Sequence, residues 1–156
     1  MLCRVGQRVA GTLALALALA GPAAAARMSP AQASLLHAIN RTRVAYHLAP
    51  LRVDATLTRA AATHTTDMVR GHYFAHGDFA SRMRRFRVAG SIAGENLAWG
   101  VGSRASATTI VAEWLASPEH RANLLRRSFR RVGIGMRVGT FAGHAGAAVV
   151  TADFAG

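Results

Sequence analysis

The sequence predicts an α+β domain with its helices first and a β-hairpin last. Apolar residues recur at helical spacing from Ser29 to about Arg127, and from Val132 onward the period drops to two. A block of helices followed by strands belongs to the α+β class, not to an alternating βαβ chain.

The N-terminal stretch is set apart from that domain. Arg4 and Arg8 precede an unbroken run of small and apolar residues, Gly11 to Ala20, and Pro22 and the alanines ending at Ala26 follow. This order reads as a Sec-type signal peptide over residues 1–26, and its apolar run is too short to span a bilayer. An uncleaved membrane anchor is the alternative reading. Residues 27–32 then form a short lead, and residues 33–156 one domain, long enough for a sizeable core. No later segment has the length and apolarity of a membrane span. The expectation is an exported, secreted or periplasmic, monomeric protein.

Within the domain, Ser29-Pro30 reads as N-cap and first helical position of a helix reaching about His47, with Leu35, Leu36 and Ile39 on one face. Ala49-Pro50 stops it. Asp54 caps a second helix that runs to about Arg70 and ends at Gly71, with Leu57, Ala60, Ala61, His64 and Met68 inward. Residues 72–104 are punctuated by glycine, with a short helix over Phe79 to Phe86 and an extended stretch from Glu95 to Trp99. Ala105 to Ala116 is a third long helical segment carrying Ile110, Val111 and Trp114. Ser117-Pro118 restarts the helix, with Ser117 as N-cap and Glu119 in the opening turn, as far as about Arg127. In the tail, Val132, Ile134, Met136 and Val138 alternate with other residues. Ala147 to Phe154 is β-rich, and Gly143 to Gly146 turns between the two strands.

Composition narrows the chemistry. The only cysteine, Cys3, lies in the leader, so the rest of the chain can form neither a disulfide nor a thiolate metal site. Net charge is +12, and all 19 Lys+Arg positions are arginine. Two clusters stand out, Arg82, Arg84, Arg85 and Arg87, then Arg126, Arg127, Arg130 and Arg131. An exported protein of this charge meets an anionic envelope polymer, lipid headgroups or a protein partner rather than nucleic acid. Arginine as the routine choice for every solvated face is the compositional alternative. Neither H-E-x-x-H nor G-x-S-x-G occurs, and the Gly100-Val101-Gly102 and Gly133-Ile134-Gly135 fragments lack the strand–turn–helix setting of a nucleotide fingerprint.

Four short segments carry more information. They are Tyr73-Phe74-Ala75-His76, Gly94-Glu95-Asn96-Leu97-Ala98, the run from Trp114 to Leu125 containing Ser117-Pro118-Glu119-His120-Arg121-Ala122-Asn123, and Phe129 with Val132-Gly133-Ile134-Gly135. Asn40, Arg43, His64, Asp67-Met68 and the closing Thr151-Ala152-Asp153-Phe154 accompany them. In this order, over roughly residues 33–154, the chain resembles the bacterial branch of the CAP superfamily (cysteine-rich secretory proteins, antigen 5 and pathogenesis-related-1 proteins). The resemblance implies an α-β-α sandwich around a small antiparallel sheet, and a cleft where two histidines and two acids meet. Carried over position by position, these are His76, His120 and Glu95. The second acid is missing: its place holds Ser117, with Glu113 one helical turn earlier. Asn96, Arg121 and Asn123 fall in supporting positions, Arg121 and Asn123 tying the His120 helix to neighbouring loops.

The residues support such a site by their own chemistry. His120 is the third position of a helix, where positive partial charge disfavours imidazolium. Glu95, between glycines and apolar residues, is part-buried and needs a partner; a histidine serves, and the carboxylate fixes its tautomer. His76 and His120 could ligate Zn²⁺ or another divalent cation, weakly, because catalytic zinc takes three protein ligands. Three readings stand at this point. The first is the cleft of an envelope or extracellular binding module for a metal, lipid or glycan. The second is a metal-assisted hydrolase with Glu95 as base, and the third a purely structural polar network. His64 reads as a core histidine, His72 and His144 as solvated loop residues, and His37 and His47 as helix surface. Trp114 belongs to the core, as does Trp99 unless it lines a groove.

Overall fold

A computed structural model describes residues 28–156; the leader expected over residues 1–26 lies outside the described residues. Helix α1, Pro30–Ala45, opens with a reciprocal cap: the Ser29 side chain accepts from the Gln32 amide, and the Gln32 side chain reaches back to the Ser29 amide. Helix α2, Ala55–Gly71, is capped by Asp54, whose carboxylate accepts from the amides of Thr56 and Leu57. Its left-handed terminal residue is His72 and not Gly71. Helix α3 is Phe79–Arg85; helix α4, Ala107–Ala116, follows a 3₁₀ turn at Gly102–Ala105 and starts two residues later than its sequence suggests, capped by Ser106. Helix α5 is Pro118–Leu124, with Ser117 at the N-cap position but making no capping hydrogen bond.

Strand β1 is only Arg52–Val53, too short to leave a periodic signal. Strands β2 (Ala93–Gly100), β3 (Arg131–Phe141) and β4 (His144–Ala155) complete a sheet of order β1-β3-β4-β2. β2, β3 and β4 are antiparallel, whereas β1 pairs with β3 in parallel, so the sheet is mixed and not purely antiparallel as expected. The hairpin turns at Ala142-Gly143, both at positive φ, one residue earlier than the glycine spacing suggests.

Side-chain alternation along the strands builds the two outer layers. Ala98, Val132, Ile134, Val150, Ala152 and Phe154 pack with Leu35 and Ile39 of α1, Ile110, Val111 and Trp114 of α4 and Leu124 of α5. On the opposite face, Leu97, Val149 and Ala155 meet Met68 and Leu57 of α2 and Met83 of α3. This is the expected α-β-α sandwich. Gly133 and Gly135 let α2 lie directly on β3: a Cβ at either would run into the α2 backbone at Leu57-Thr58 or Ala61-Ala62. One polar clamp crosses the core. Arg43 is fully buried and donates to the carbonyls of Ala49 (3.0 Å), Leu124 (2.8 Å), Arg126 (3.2 Å) and Phe129 (3.1 Å).

Candidate functional site

The site forms at the free edge of β2. Glu95 and Asn96 are consecutive in that strand, so their side chains leave on opposite faces of the sheet. Each holds one of the two histidines.

On the α2 face, the Glu95 side chain is 2% exposed, and its Oε1 accepts from Nδ1 of His76 at 2.7 Å. A carboxylate in this pair accepts, which places a proton on Nδ1, so in the neutral imidazole Nε2 of His76 is the lone-pair nitrogen. The His76 side chain is 55% exposed, so that lone pair is open to solvent. Oε2 of Glu95 is taken by the Arg82 guanidinium, which also donates to the His76 carbonyl at 3.2 Å and lies over the Phe79 ring. Arg82 therefore belongs to the cleft and not to the solvated arginine cluster in which its sequence places it. Asp153, directly opposite Glu95 across β2 and β4, is fully buried. Arg82 is its cationic neighbour, at 3.9 Å. Burial, and then the charge of Glu95, push its carboxyl well above the usual carboxylate range.

His64 completes this wall. It is a core histidine as expected, with Nε2 donating to the carbonyl of Ala75 at 3.0 Å, but it also lies 3.8 Å from Glu95. Burial, and then the nearby Arg82, lower its pKa and keep it neutral.

On the α5 face, the chemistry is neutral. Nδ2 of Asn96 donates to the His120 carbonyl at 2.9 Å. Nδ2 of Asn123 donates to the Glu95 carbonyl and to Oδ1 of Asn96, each at 3.0 Å. Gly94 leaves the space that the Asn123 side chain fills. Trp114 donates from Nε1 to the Leu97 carbonyl at 2.9 Å. The edge carbonyls of β2 are thereby satisfied by side chains of α4 and α5, which fixes α5 against the strand. Arg121 reaches the Tyr46 hydroxyl at 3.2 Å and stacks on its ring, tying α5 to the end of α1. His120 sits at the third position of α5, and its pKa is lowered, as expected from the sequence. The leading cause is burial, followed by His76, with Glu119 opposing.

His120 lines a cavity of about 230 Å³ with Phe74, Leu97, Ala98, Trp99, Glu113 and Trp114. Trp99 and Glu113 also border a second cavity of about 280 Å³ that ends at Arg104 and His144. Trp99 is half-buried, packs edge-on against Phe141, 5.5 Å away, and covers the cluster of Met68, Leu97 and Val149 while its other side lines the two cavities. Glu113 stays half-exposed, 4.0 Å from Arg104, on the cavity wall. Ser117, standing where a second acid was sought, is half-buried and lines neither cavity. A larger cavity of about 420 Å³ opens between α1 and α4 around His37 and Arg41, remote from Glu95.

The donor set does not fit a zinc centre. His64 donates through Nε2, both oxygens of Glu95 are engaged, and the Arg82 guanidinium stands beside Glu95 and Asp153, so only Nε2 of His76 and the His120 ring remain, short of the three protein ligands of a catalytic zinc. Among the described residues, no group of three or more His, Cys, Asp or Glu side chains is arranged to hold a metal ion.

Known proteins place the chain. The model of the cysteine-rich secretory protein (CAP) family matches residues 36–153, and the chain belongs to this family. It is 33% identical over 101 residues to the uncharacterized protein YkwD of Bacillus subtilis, covering 62% of this chain and 38% of that protein. It is 32% identical over 107 residues to the uncharacterized membrane protein YlbC of the same organism, covering 65% of this chain and 30% of that one. The chain thus spans about a third of the length of these relatives. An extracellular SCP-domain protein of Bacillus anthracis shares the fold with a TM-score of 0.66 at 24% identity, over 83% of this chain and 44% of that one. An outer surface protein of Borrelia burgdorferi does so with a TM-score of 0.66 at 20% identity, over 77% of this chain and 87% of that one. No helix among the described residues is long and apolar enough to cross a membrane.

Proposed function

We propose that this CAP domain is an exported binding module that takes a hydroxyl- or amide-bearing segment of an envelope polymer, such as a glycan, into the His76/His120 cleft. The observation that carries this reading is the Glu95-oriented imidazole of His76. The His76 side chain is exposed, and Phe74, two residues before it, shares the wall of a cavity with His120, Glu113 and the indoles of Trp99 and Trp114. Flat apolar surface with a few placed polar groups is the usual make-up of a ligand site. The exposed arginines add attraction for an anionic polymer at longer range. Export is supported by the leader-like residues 1–26 and by the extracellular and surface proteins that share the fold.

Hydrolysis with Glu95 as base has less support, because Glu95 is held by His76 and Arg82 and the free base of the pair is His76 Nε2.

Retention on cell-envelope extracts tests the proposal. Binding should weaken steeply as salt rises, because exposed charges are screened beyond about 10 Å at 0.1 M ionic strength. The fraction that survives high salt should disappear in Phe74→Ala and in His76→Ala/His120→Ala. Variants that are retained like the wild type at every salt concentration would remove the cleft from the binding.

A further inference from the structure

We propose that Arg82 is the resident cation of the cleft: its guanidinium pairs with Glu95 and stands beside Asp153, supplying the positive charge that a divalent ion would otherwise bring to these two acids, so the cleft recognises its ligand without metal. This holds whichever polymer the cleft takes, and goes beyond that reading by assigning a residue that sets which ligands are excluded.

Four observations converge. First, Glu95 has one oxygen on His76 and the other on Arg82, so a metal could reach this carboxylate only by displacing a cation already in contact with it. Second, Arg82 is built in rather than draped over the site. Its side chain is 9% exposed, it donates to the His76 carbonyl, it packs on Phe79, and it projects from a helix capped by Asp78. Third, Asp153 is fully buried 3.9 Å from the same guanidinium and directly across the strands from Glu95, and no other side chain offers its oxygens a donor. Two acids therefore face one arginine, the kind of buried acidic pair that a divalent cation bridges in other proteins. Burial and the charge of Glu95 push the Asp153 carboxyl up, which favours its neutral form and lessens the negative charge the one guanidinium has to balance. Fourth, the imidazoles offer too few ligands: His64 donates to Ala75 through Nε2, which leaves only Nε2 of His76 and the His120 ring, and among the described residues no group of three or more His, Cys, Asp or Glu side chains is arranged to hold a metal ion.

The same contacts give Arg82 a positive role. By pinning Glu95, it fixes the tautomer of His76 and keeps Nε2 turned to solvent as an acceptor. A bound metal would consume that lone pair.

Zinc chloride alone, titrated by calorimetry into the purified protein at neutral pH, tests the assignment. The wild type should take up no more zinc than His76→Ala/His120→Ala. Arg82→Met should gain about ten- to hundredfold in zinc affinity, the scale on which outer-shell changes act on metal sites. Adding Glu95→Gln should erase that gain, and Arg82→Lys, which keeps the charge, should show none. A saturable one-to-one site in the wild type that Glu95→Gln abolishes would overturn the proposal. So would an Arg82→Met protein that melts cooperatively yet gains nothing. Should Arg82→Met fail to fold, the wild type decides alone. Nitrogen-15 spectra of its imidazoles should show His76 protonated at Nδ1 and unmoved by zinc; a zinc-induced shift of His76 or His120 would refute the assignment.

Discussion

Glu95 and Asn96 are neighbours on β2, yet they anchor their histidines by opposite means. Glu95 works through charge: a carboxylate between an imidazole and a guanidinium, with a second, buried acid behind it whose carboxyl is pushed up. Asn96 works through amides: uncharged hydrogen bonds that fasten the backbone of α5 and leave the His120 ring free. The charged wall fixes the tautomer of its imidazole, whereas the amide wall fixes only the position of its ring. Consecutive residues of an edge strand can thus present two histidines of different character along one edge of the sheet.

The contrast is sharpest when each anchor is removed. Glu95→Ala leaves Arg82 buried without its partner, and breaking a buried ion pair from one side costs about 3–5 kcal/mol. Urea denaturation measures it, and a loss below about 1 kcal/mol, the range of exposed pairs, would mean that the pair is not buried as a unit. Asn96→Ala orphans the His120 carbonyl and one donor of Asn123, for about 1–3 kcal/mol. This loss should not change with salt; a salt-sensitive loss would erase the distinction between the walls.

The smallest effect is a slope with pH. Asp153 is raised above 3.8, so from pH 3.8 up to its raised value the folded chain holds a proton that the unfolded chain has released. The stability from this group is complete below 3.8 and is lost as pH rises through that window. His64 and His120 act in the other direction. Their pKa values are lowered from 6.5, so the unfolded chain binds protons first, and stability falls as pH drops below 6.5. Asp153→Asn should cancel only the first slope. Thermal melts from about pH 4 to 8 should show the variant gaining on the wild type as pH rises, and parallel curves would contradict a buried, neutral Asp153.

Much of this was legible in the residues. The Ser29 and Asp54 caps, the Ser117-Pro118 restart and the period-two tail each have a local physical signature, and the elements stand within a few residues of those signatures. His76, Glu95 and Asn123 were legible through motifs, and the His76–Glu95 contact bears out the need of Glu95 for a partner. Arg82 was not. It stands among four arginines, and only the packing of a seven-residue helix decides which of them turns inward. Asp153 was hidden for a related reason: its closeness to Glu95 is a matter of strand register, set by residues far apart in the chain. The two-residue β1 carries too few positions for any period to show.

Arg43 has a consequence of another kind. Its guanidinium gathers carbonyls from the segment after α1 and from the end of α5 and the residues beyond it, as far as 86 residues along the chain from Arg43 itself. Secreted folds often make such joins covalently, from pairs of thiols. Here the rivet is non-covalent, so it closes as soon as the chain collapses around it. No oxidant is needed to set it, and no reductant can undo it.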